Sequence, residues 1–346
     1  MSPIDEASFL QWLLHGVPSR AALPDAAAWP QRHPILVLAL VAYAVWYRRT
    51  WRATTLARAW GPRWLALLVA RFNVILMRIC SANLKTLRPP DSGVDASKRH
   101  LVVWHPHGAY TTMALMHCGL HTVASTPLTW FPAVAPVLFA LPIFREVLLL
   151  LNARSVEPRV LEKLARAGCT IGIQPGGIPE QIRADSTREI AVFPPRLGFI
   201  RLAMRHGLDL LPVYIFGENQ AYDTCGPRGR AFSAWAYRMC HVPIVPIMGR
   251  YGVPWLVPKS VDIHVVWGEP VSVGPPNDAP TDAEVEEVYE RYVAELRRLF
   301  DAHKDACLPP EVAALGLTIT RRTSSAAPLP TTDGGKAAAP PGSSKL

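Results

Sequence analysis

"LVVWHPHGAY", residues 101–110, decides how the rest of the chain is read. Leu101, Val102, Val103 and Trp104 form an unbroken apolar run, the texture of a short strand buried on both faces. The run stops at His105-Pro106-His107-Gly108. Gly108 permits a sharp exit, and the ends of strands are where α/β folds build their sites. If the strand ran on through both histidines, they would share one face about 7 Å apart, two rises of about 3.3 Å. Three explanations then stand side by side: a metal-binding pair, a general base, or two satisfied core histidines.

Further along, short apolar runs alternate with helical patterns. "PRVLEKLARAG", 158–168, reads as a helix with proline in its first turn and glycine past its end. "CTIGIQPGG", 169–177, reads as a strand entering a tight turn, "GFIRLAMRHG", 198–207, as a helix closing at Gly207, and "LDLLPVYIFGEN", 208–219, and "VDIHVVWGEP", 261–270, as two more strands. This alternation predicts an α/β domain, a mixed sheet with surrounding helices. The last element is the plainest: Thr281 with Glu284 three residues on is a capping box, and Val285, Val288, Tyr289, Tyr292, Leu296, Leu299 and Phe300 recur at helical spacing. It is expected to be a docked core helix without chemistry.

The chain has 346 residues, half of them hydrophobic and only 18% charged, with a net charge of +9. The length suits one large domain with a sizeable core. A basic balance suits anionic lipid surfaces or a phosphorylated ligand. Dispersed arginines without a recognition motif argue against nucleic acid as a partner. Cys80, Cys118, Cys169, Cys225, Cys240 and Cys307 form no C-x-x-C pair, the pattern of reduced thiols rather than a disulfide framework.

Residues 1–33 open with acidic rather than basic residues and are expected to be a tail, not a secretory signal. Residues 34–79 hold two apolar blocks, "PILVLALVAYAVWY" and "WLALLVARFNVILM", around an Arg- and Trp-rich stretch. The first would span about 20 Å as a helix, short of the roughly 30 Å hydrocarbon core. Arg and Trp at this spacing suit the headgroup layer. The region is expected to embed in a membrane as a short span, a hairpin or an interfacial pair, two buried core helices being the alternative. Residues 128–144, apolar and broken by prolines, suit a lipid-lining segment or a buried loop equally. Residues 80–310 form the expected catalytic domain. Residues 311–346 are rich in Ala, Pro, Ser, Thr and Gly and are expected to be disordered, ending in Ser344-Lys345-Leu346, a peroxisomal import address.

For the histidines, metal ligation draws on His117 and His121 at helical spacing and on Cys118, but nothing nearby completes a coordination set. No metal and no cofactor is expected. A general base is suited by histidine's ordinary pKa of about 6.5. Partners for it stand at two other strand ends: Glu180 in "QPGGIPEQI", and Glu218 with Asn219 in "FGENQAY".

Five motifs in order, "HPHG" at 105–108, "LPIFREVL" at 141–148, "GGIPE" at 176–180, "RLGFIRLAMRHGLDLLPVYIFGEN" at 196–219 and "WGEPV" at 267–271, give the chain a resemblance to the type 2 diacylglycerol acyltransferase family over roughly residues 60 to 310. That family also contains monoacylglycerol acyltransferases and wax synthases. The resemblance implies a glycerolipid-acyltransferase-like fold. It implies transfer of a fatty acyl group from acyl-CoA, a substrate rather than a cofactor, to a lipid hydroxyl. The acceptor implied first is diacylglycerol, on the endoplasmic reticulum membrane with the catalytic face in the cytosol; assembly with further copies of the chain stays open. His107 is then expected as base, with His105 positioning it or the acyl carbonyl. Backbone N–H groups at Pro106-His107-Gly108 or Gly176-Gly177 would meet the oxyanion, and Arg196 and Arg201 the phosphates of coenzyme A. Related enzymes carry His-x4-Asp; here Thr112 stands five residues after His107, so the orienting carboxylate is sought elsewhere, first at Glu180. A metal-dependent amidohydrolase and a non-catalytic lipid-droplet protein are the alternatives of another class.

Overall fold

The structure, a computed structural model, describes residues 31, 33–79, 83–87, 99–111, 130–240, 243–252 and 257–322. Cys80, Thr112, His117, Cys118, His121, most of the N-terminal tail and the C-terminal Ser344-Lys345-Leu346 lie outside the described residues. The chain divides into two compact units, Met1–Ala53 and Thr54–Leu346.

In the first unit, helix α1 (Pro34–Arg49) begins on proline, ends on Arg48 and Arg49, and buries none of its residues. Ile35, Leu38, Leu40, Val41 and Trp46 all face outward.

The second unit opens with helix α2 (Arg63–Ile79) and strands β1 (Asn83–Leu87), β2 (His100–His105) and β3 (Trp130–Val134). Then come α3 (Phe144–Leu150), β4 (Arg154–Ser155), α4 (Pro158–Arg166), β5 (Thr170–Ile173), α5 (Gly177–Gln181) and β6 (Glu189–Phe193). They are followed by α6 (Gly198–His206), β7 (Asp209–Phe216), β8 (Asp223–Thr224), α7 (Gly226–Cys240), β9 (Ile247–Met248) and β10 (Asp262–Trp267). The described chain closes with α8 (Asp282–Cys307), α9 (Pro310–Ala313) and β11 (Leu317–Arg321). Seven strands form one mixed sheet in the order β1-β10-β7-β2-β5-β3-β4. Neighbours run parallel except β10 and β7.

The expected α/β domain is therefore present, with β2 at the centre of the sheet. All six residues of β2 are buried, which is why its sequence shows no polar alternation. Leu101 and Val103 point into a core shared with Leu164 of α4, Ile200 and Ala203 of α6, and Tyr292, Leu296 and Phe300 of α8. Val102 and Trp104 point to the other face, beside Leu211, Val213, Val265 and Trp267. His105 falls on the first face by the same alternation, so it is directed at α8. The capping box of α8 is formed as expected, with the Thr281 side chain accepting from the Glu284 backbone and the Glu284 carboxylate accepting in return.

Three expectations change. Residues 311–346 are not disordered from their start: Val312 and Ala313 are buried, and β11 pairs in parallel with β6 from Leu317↔Glu189 to Arg321↔Phe193. Among the described residues β6 belongs to no larger sheet, and β11 supplies its ladder partner. The segment at 128–144 is neither a lipid-lining loop nor a core loop throughout: β3 lies in the main sheet beside β5, with Phe131 buried. The alternative of two core helices at 34–79 also fails among the described residues, since α1 buries nothing and the buried side chains of α2 are the small Ala66 and Ala70. Among the described residues no helix is long and apolar enough to cross a membrane.

Arg154 secures the entry into this unit. It is fully buried. Its Nε donates to the Leu56 carbonyl at 2.6 Å, Nη1 to the Ala153 carbonyl at 2.7 Å, and Nη2 to the Arg58 carbonyl. Its guanidinium also lies 5.0 Å from the centroid of the Phe131 ring. A planar fork can serve several carbonyls at once where an ammonium cannot. Arg154→Lys is expected to lower the unfolding free energy by about 2 kcal/mol or more. Thermal denaturation checks this, and an unchanged Tm would show that water replaces the lost donors.

Candidate active site

The strand delivering the histidines ends at His105, and the His105–Pro106 peptide is cis. His105 is the last residue of the strand, whereas His107 lies beyond its end and is less buried, so the two are not successive same-face residues of one strand. His105 is fully buried. Its Nε2 lies 3.0 Å from the Tyr292 hydroxyl, and its ring packs on Phe193 and Tyr292. Burial pushes its pKa down to about 3, so the imidazole is neutral. It supports the turn from below and is shut off from solvent.

His107 is only partly buried and stands at the mouth of the turn. Its Nδ1 lies 3.2 Å from the Gly108 carbonyl and 3.2 Å from Thr111 Oγ1. A carbonyl only accepts, so Nδ1 carries the proton and Nε2 holds the basic lone pair. Thr111 Oγ1 donates to the His107 carbonyl at 3.3 Å, which turns its lone pair toward Nδ1. Desolvation lowers the His107 pKa to about 4, against the opposing effect of the Gly108 hydrogen bond. The arrangement can hold a neutral imidazole in one tautomer, ready to accept a proton.

Glu180 was expected to orient this imidazole, and it does not. Its Oε1 accepts the backbone N–H of His107 at 2.5 Å, and its Oε2 accepts that of Val192 at 2.7 Å. It positions the main chain of the turn, not the ring. The ring is held by groups within four residues of it, Gly108 and Thr111. Gly176 is required directly beneath: a Cβ there would meet Glu180 Oε2 at 2.0 Å. Burial raises the Glu180 pKa to about 7, opposed by its two N–H donors, with the nearby Glu189 charge adding to the rise.

The expected oxyanion donors are partly committed. The His107 N–H serves Glu180, and the Gly177 N–H donates to the Gln174 carbonyl at 3.1 Å. Gly108 has φ +67, and a Cβ on it would meet Glu218 Cγ at 2.9 Å. Glu218 is thus brought against the turn, while Asn219 points away, its Nδ2 donating to Glu189 Oε2 at 2.9 Å. Of the two arginines, Arg196 is exposed just before α6. Arg201 is engaged by Asp282 and by the Pro280 carbonyl at the start of α8.

Sequence reasoning missed Glu189, Tyr214, Gln220, Thr111 and Tyr292. Glu189 is buried and accepts from Tyr214 Oη at 2.7 Å, Asn219 Nδ2 at 2.9 Å and Gln220 Nε2 at 2.9 Å. Burial raises its pKa to about 7 as well. One signal for it was legible: a carboxylate heading the apolar run "EIAVF" needs buried donors. Among the described residues no group of three or more His, Cys, Asp or Glu is placed to hold a metal ion.

A model of the family described as diacylglycerol acyltransferase matches residues 34–316. The chain belongs to the diacylglycerol acyltransferase family. It is 31% identical over 243 residues to diacylglycerol O-acyltransferase 2 of Dictyostelium discoideum, covering 65% of this chain and 72% of that protein. Against diacylglycerol O-acyltransferase 2 of Homo sapiens it is 29% identical over 236 residues, 63% of this chain and 60% of the human one. The acyl-CoA wax alcohol acyltransferase 2 of Homo sapiens is 30% identical over 64% of this chain and 70% of its own length. The matched part thus spans less than two thirds of the human diacylglycerol enzyme. Among solved structures, the 1-acyl-sn-glycerophosphate acyltransferase of Thermotoga maritima aligns over 76% of this chain and 98% of its own, with a TM-score of 0.38 and 16% identity. That superposition is too loose to transfer residue positions. The stretch matched to the diacylglycerol acyltransferase family contains His107, Glu180, Glu189 and Tyr292.

Glu180→Gln swaps one acceptor oxygen for an amide that faces a backbone N–H. It is expected to cost about 1–3 kcal/mol and to lower turnover by about tenfold or more, measured by denaturation and initial rates. Ionised Glu180 accepts both N–H groups fully. With a raised pKa, that form is complete only above pH of about 7. The wild-type rate is therefore expected to rise with pH through about 7, and the glutamine variant to lose that limb. A limb unchanged in the variant would assign the titration to another group.

Proposed function

We propose that this protein is an acyl-CoA:diacylglycerol O-acyltransferase that works on a membrane surface, with His107 as its general base. The observation that carries the mechanism is the fixed tautomer of a half-buried imidazole at the end of β2, in a chain of this family. Nε2 of His107 takes the proton of the acceptor hydroxyl as that oxygen attacks the thioester carbonyl. The tetrahedral intermediate collapses, the C–S bond breaks, and the proton on Nε2 passes to the departing thiolate. Ester and free coenzyme A are the products. A thiol pKa near 8.5 makes the thiolate a good leaving group, so the base need only be neutral and positioned.

His105, Tyr292 and Glu180 hold the turn and do not touch substrate in this reading. Gly108, with Glu218 beside it, shapes the wall on which the acyl carbonyl and acceptor lie, while Gly176 and Asn219 support it from behind through Glu180 and Glu189. Arg196, exposed at the rim, is the remaining arginine for a coenzyme A phosphate. A second acceptor class is favoured by one observation. The relatives include a 2-acylglycerol O-acyltransferase 3 and a wax alcohol acyltransferase 2 of Homo sapiens, so a monoacylglycerol or a long-chain alcohol is the alternative hydroxyl donor.

The membrane reading rests on α1 and α2. Helix α2 is amphipathic in the inverted sense. Its small residues Ala66 and Ala70 pack on Leu150 and Leu151, while Trp64, Leu68, Phe72, Ile75 and Ile79 form an outward stripe. Such a stripe lies in the headgroup boundary without spanning. We place the protein at the endoplasmic reticulum with its catalytic face in the cytosol, peroxisomes being the alternative address.

Membranes carrying the full chain, labelled acyl-CoA and a panel of diacylglycerol, monoacylglycerol and long-chain alcohol test the proposal. Triacylglycerol is the expected main product, and His107→Ala is expected to lower its rate by about 10²-fold or more. Equal rates in wild type and variant would end the general-base assignment. A dominant wax ester would move the acceptor to the alternative.

A further inference from the structure

Helix α7 repeats the inversion of α2 at a distant place in the sequence. Its buried residues are small: Gly229, Ser233 and Ala236. A Cβ on Gly229 would reach Cys225 Cβ at 2.6 Å, and Ser233 Oγ donates to the Gly229 carbonyl at 2.9 Å. Its large apolar residues instead face outward: Phe232, Trp235 at 54% exposure and Met239 at 69%. The spacing of three and four residues puts them on one stripe. The Phe232 and Trp235 rings meet in a tilted contact with centroids 5.7 Å apart. Two further large side chains are exposed after α7: Met248, in the strand that pairs with β8, and Tyr251, 89% exposed. A soluble surface helix buries its large apolar side chains and exposes its small ones, so this arrangement marks a contact with something apolar.

Charge states what that something is. Helix α7 carries Arg228, Arg230 and Arg238 and no acidic residue. Arg230 is engaged inward by Asp185 at 2.9 Å, whereas Arg228 and Arg238 flank the exposed stripe. Arg250 follows, 5.8 Å from the Tyr251 ring centroid. Aromatic and Met side chains within an arginine rim match the acyl–headgroup boundary of an anionic bilayer. A second copy of the chain fits poorly, because a two-fold contact would set this arginine rim against itself.

The location joins the patch to the chemistry. Arg230 of α7 holds Asp185, whose neighbour Ala184 belongs to a cluster with Ala109, Ala221, Tyr222, Val245 and Ile247, and Ala109 directly follows Gly108. The Ser186 N–H donates to Thr224 Oγ1 at 3.4 Å, and Tyr110 meets Tyr222 with ring centroids 6.1 Å apart. We infer that α7 with Met248 and Tyr251 is a membrane contact that lays the His107 end of the sheet on an anionic phospholipid surface, where a lipid acceptor resides. This deepens the membrane reading proposed above and rests on it.

Hydrogen exchange on the full chain tests it, with phosphatidylcholine vesicles alone or mixed with phosphatidylserine. Mixed vesicles are expected to slow exchange across residues 226–240 by about tenfold. The Phe232→Ser/Trp235→Ser/Met239→Ser variant is expected to lose that protection, and Arg228→Glu/Arg238→Glu to lose it in mixed vesicles, while residues 63–79 stay protected in both. Unchanged exchange at 226–240 in the wild type with mixed vesicles overturns the inference. So does protection that grows with protein concentration in the absence of vesicles, which would assign the face to a second copy. Protection at 226–240 without any at 63–79 supports α7 and ends the role given to α2. Loss of triacylglycerol synthesis with both regions protected ends the enzymatic reading alone.

Discussion

The Glu180 carboxylate is the constraint on which the site depends. It accepts one N–H from the histidine turn and one from β6, so it ties the end of the central strand to a strand outside the main sheet. Both donors are backbone groups that a turn and a strand edge would otherwise leave unsatisfied. A carboxylate with one oxygen for each is the smallest side chain that can serve both. Gly176 leaves room for it, since any Cβ would occupy the place of Oε2. Gly176 is thus a packing requirement of the carboxylate as much as a turn signal.

Below that tie sits a polar layer that a sheet of this kind rarely carries. Glu189 gathers Tyr214, Asn219 and Gln220, and His105 reaches Tyr292. Register explains the convergence: β2 and β7 pair His105 with Tyr214, and β6 heads with Glu189. Burial raises the carboxyl of Glu189 to a pKa of about 7 and lowers His105 to about 3, so the imidazole is neutral while the carboxyl is divided between its two forms near neutral pH. Low dielectric makes a fully bonded network of this kind rigid and a broken one costly. The rigidity is passed upward, since Asn219 and Gln220 anchor the loop that presses Glu218 on Gly108.

Much of this was legible beforehand, and the reasons differ by element. The apolar run at 101–104, the proline-started helix at 158 and the capping box at Thr281 each announce themselves through local chemistry, so β2, α4 and α8 appear where the residues place them. What stayed hidden is what distant segments settle between them. Tyr292 looked like one more apolar tooth of a core helix, and only the face of β2 it meets makes it a partner for His105. Glu180 stood out as a carboxylate near a glycine turn. That it would take main-chain N–H groups from residues 73 and 12 positions away is a matter of tertiary placement. The chain past Pro310 looked unstructured by composition, yet β6 lacked a neighbour and the sequence at 317–321 could pair with it.

The placement of Thr111 beside His107, where a carboxylate would suit other esterase-like sites, follows from the same electrostatics. Glu180 already lies within reach of the Glu189 charge, and both are held near neutral pH by burial. A further carboxylate on Nδ1 would join that cluster, where like charges and desolvation favour its protonated form, which adds a hydroxyl hydrogen that needs a buried acceptor of its own. A carbonyl and a hydroxyl supply the acceptor without adding charge. Desolvation lowers the pKa of the imidazole held this way to about 4. The neutral clasp on His107 is thus the arrangement that a crowded acidic floor leaves open.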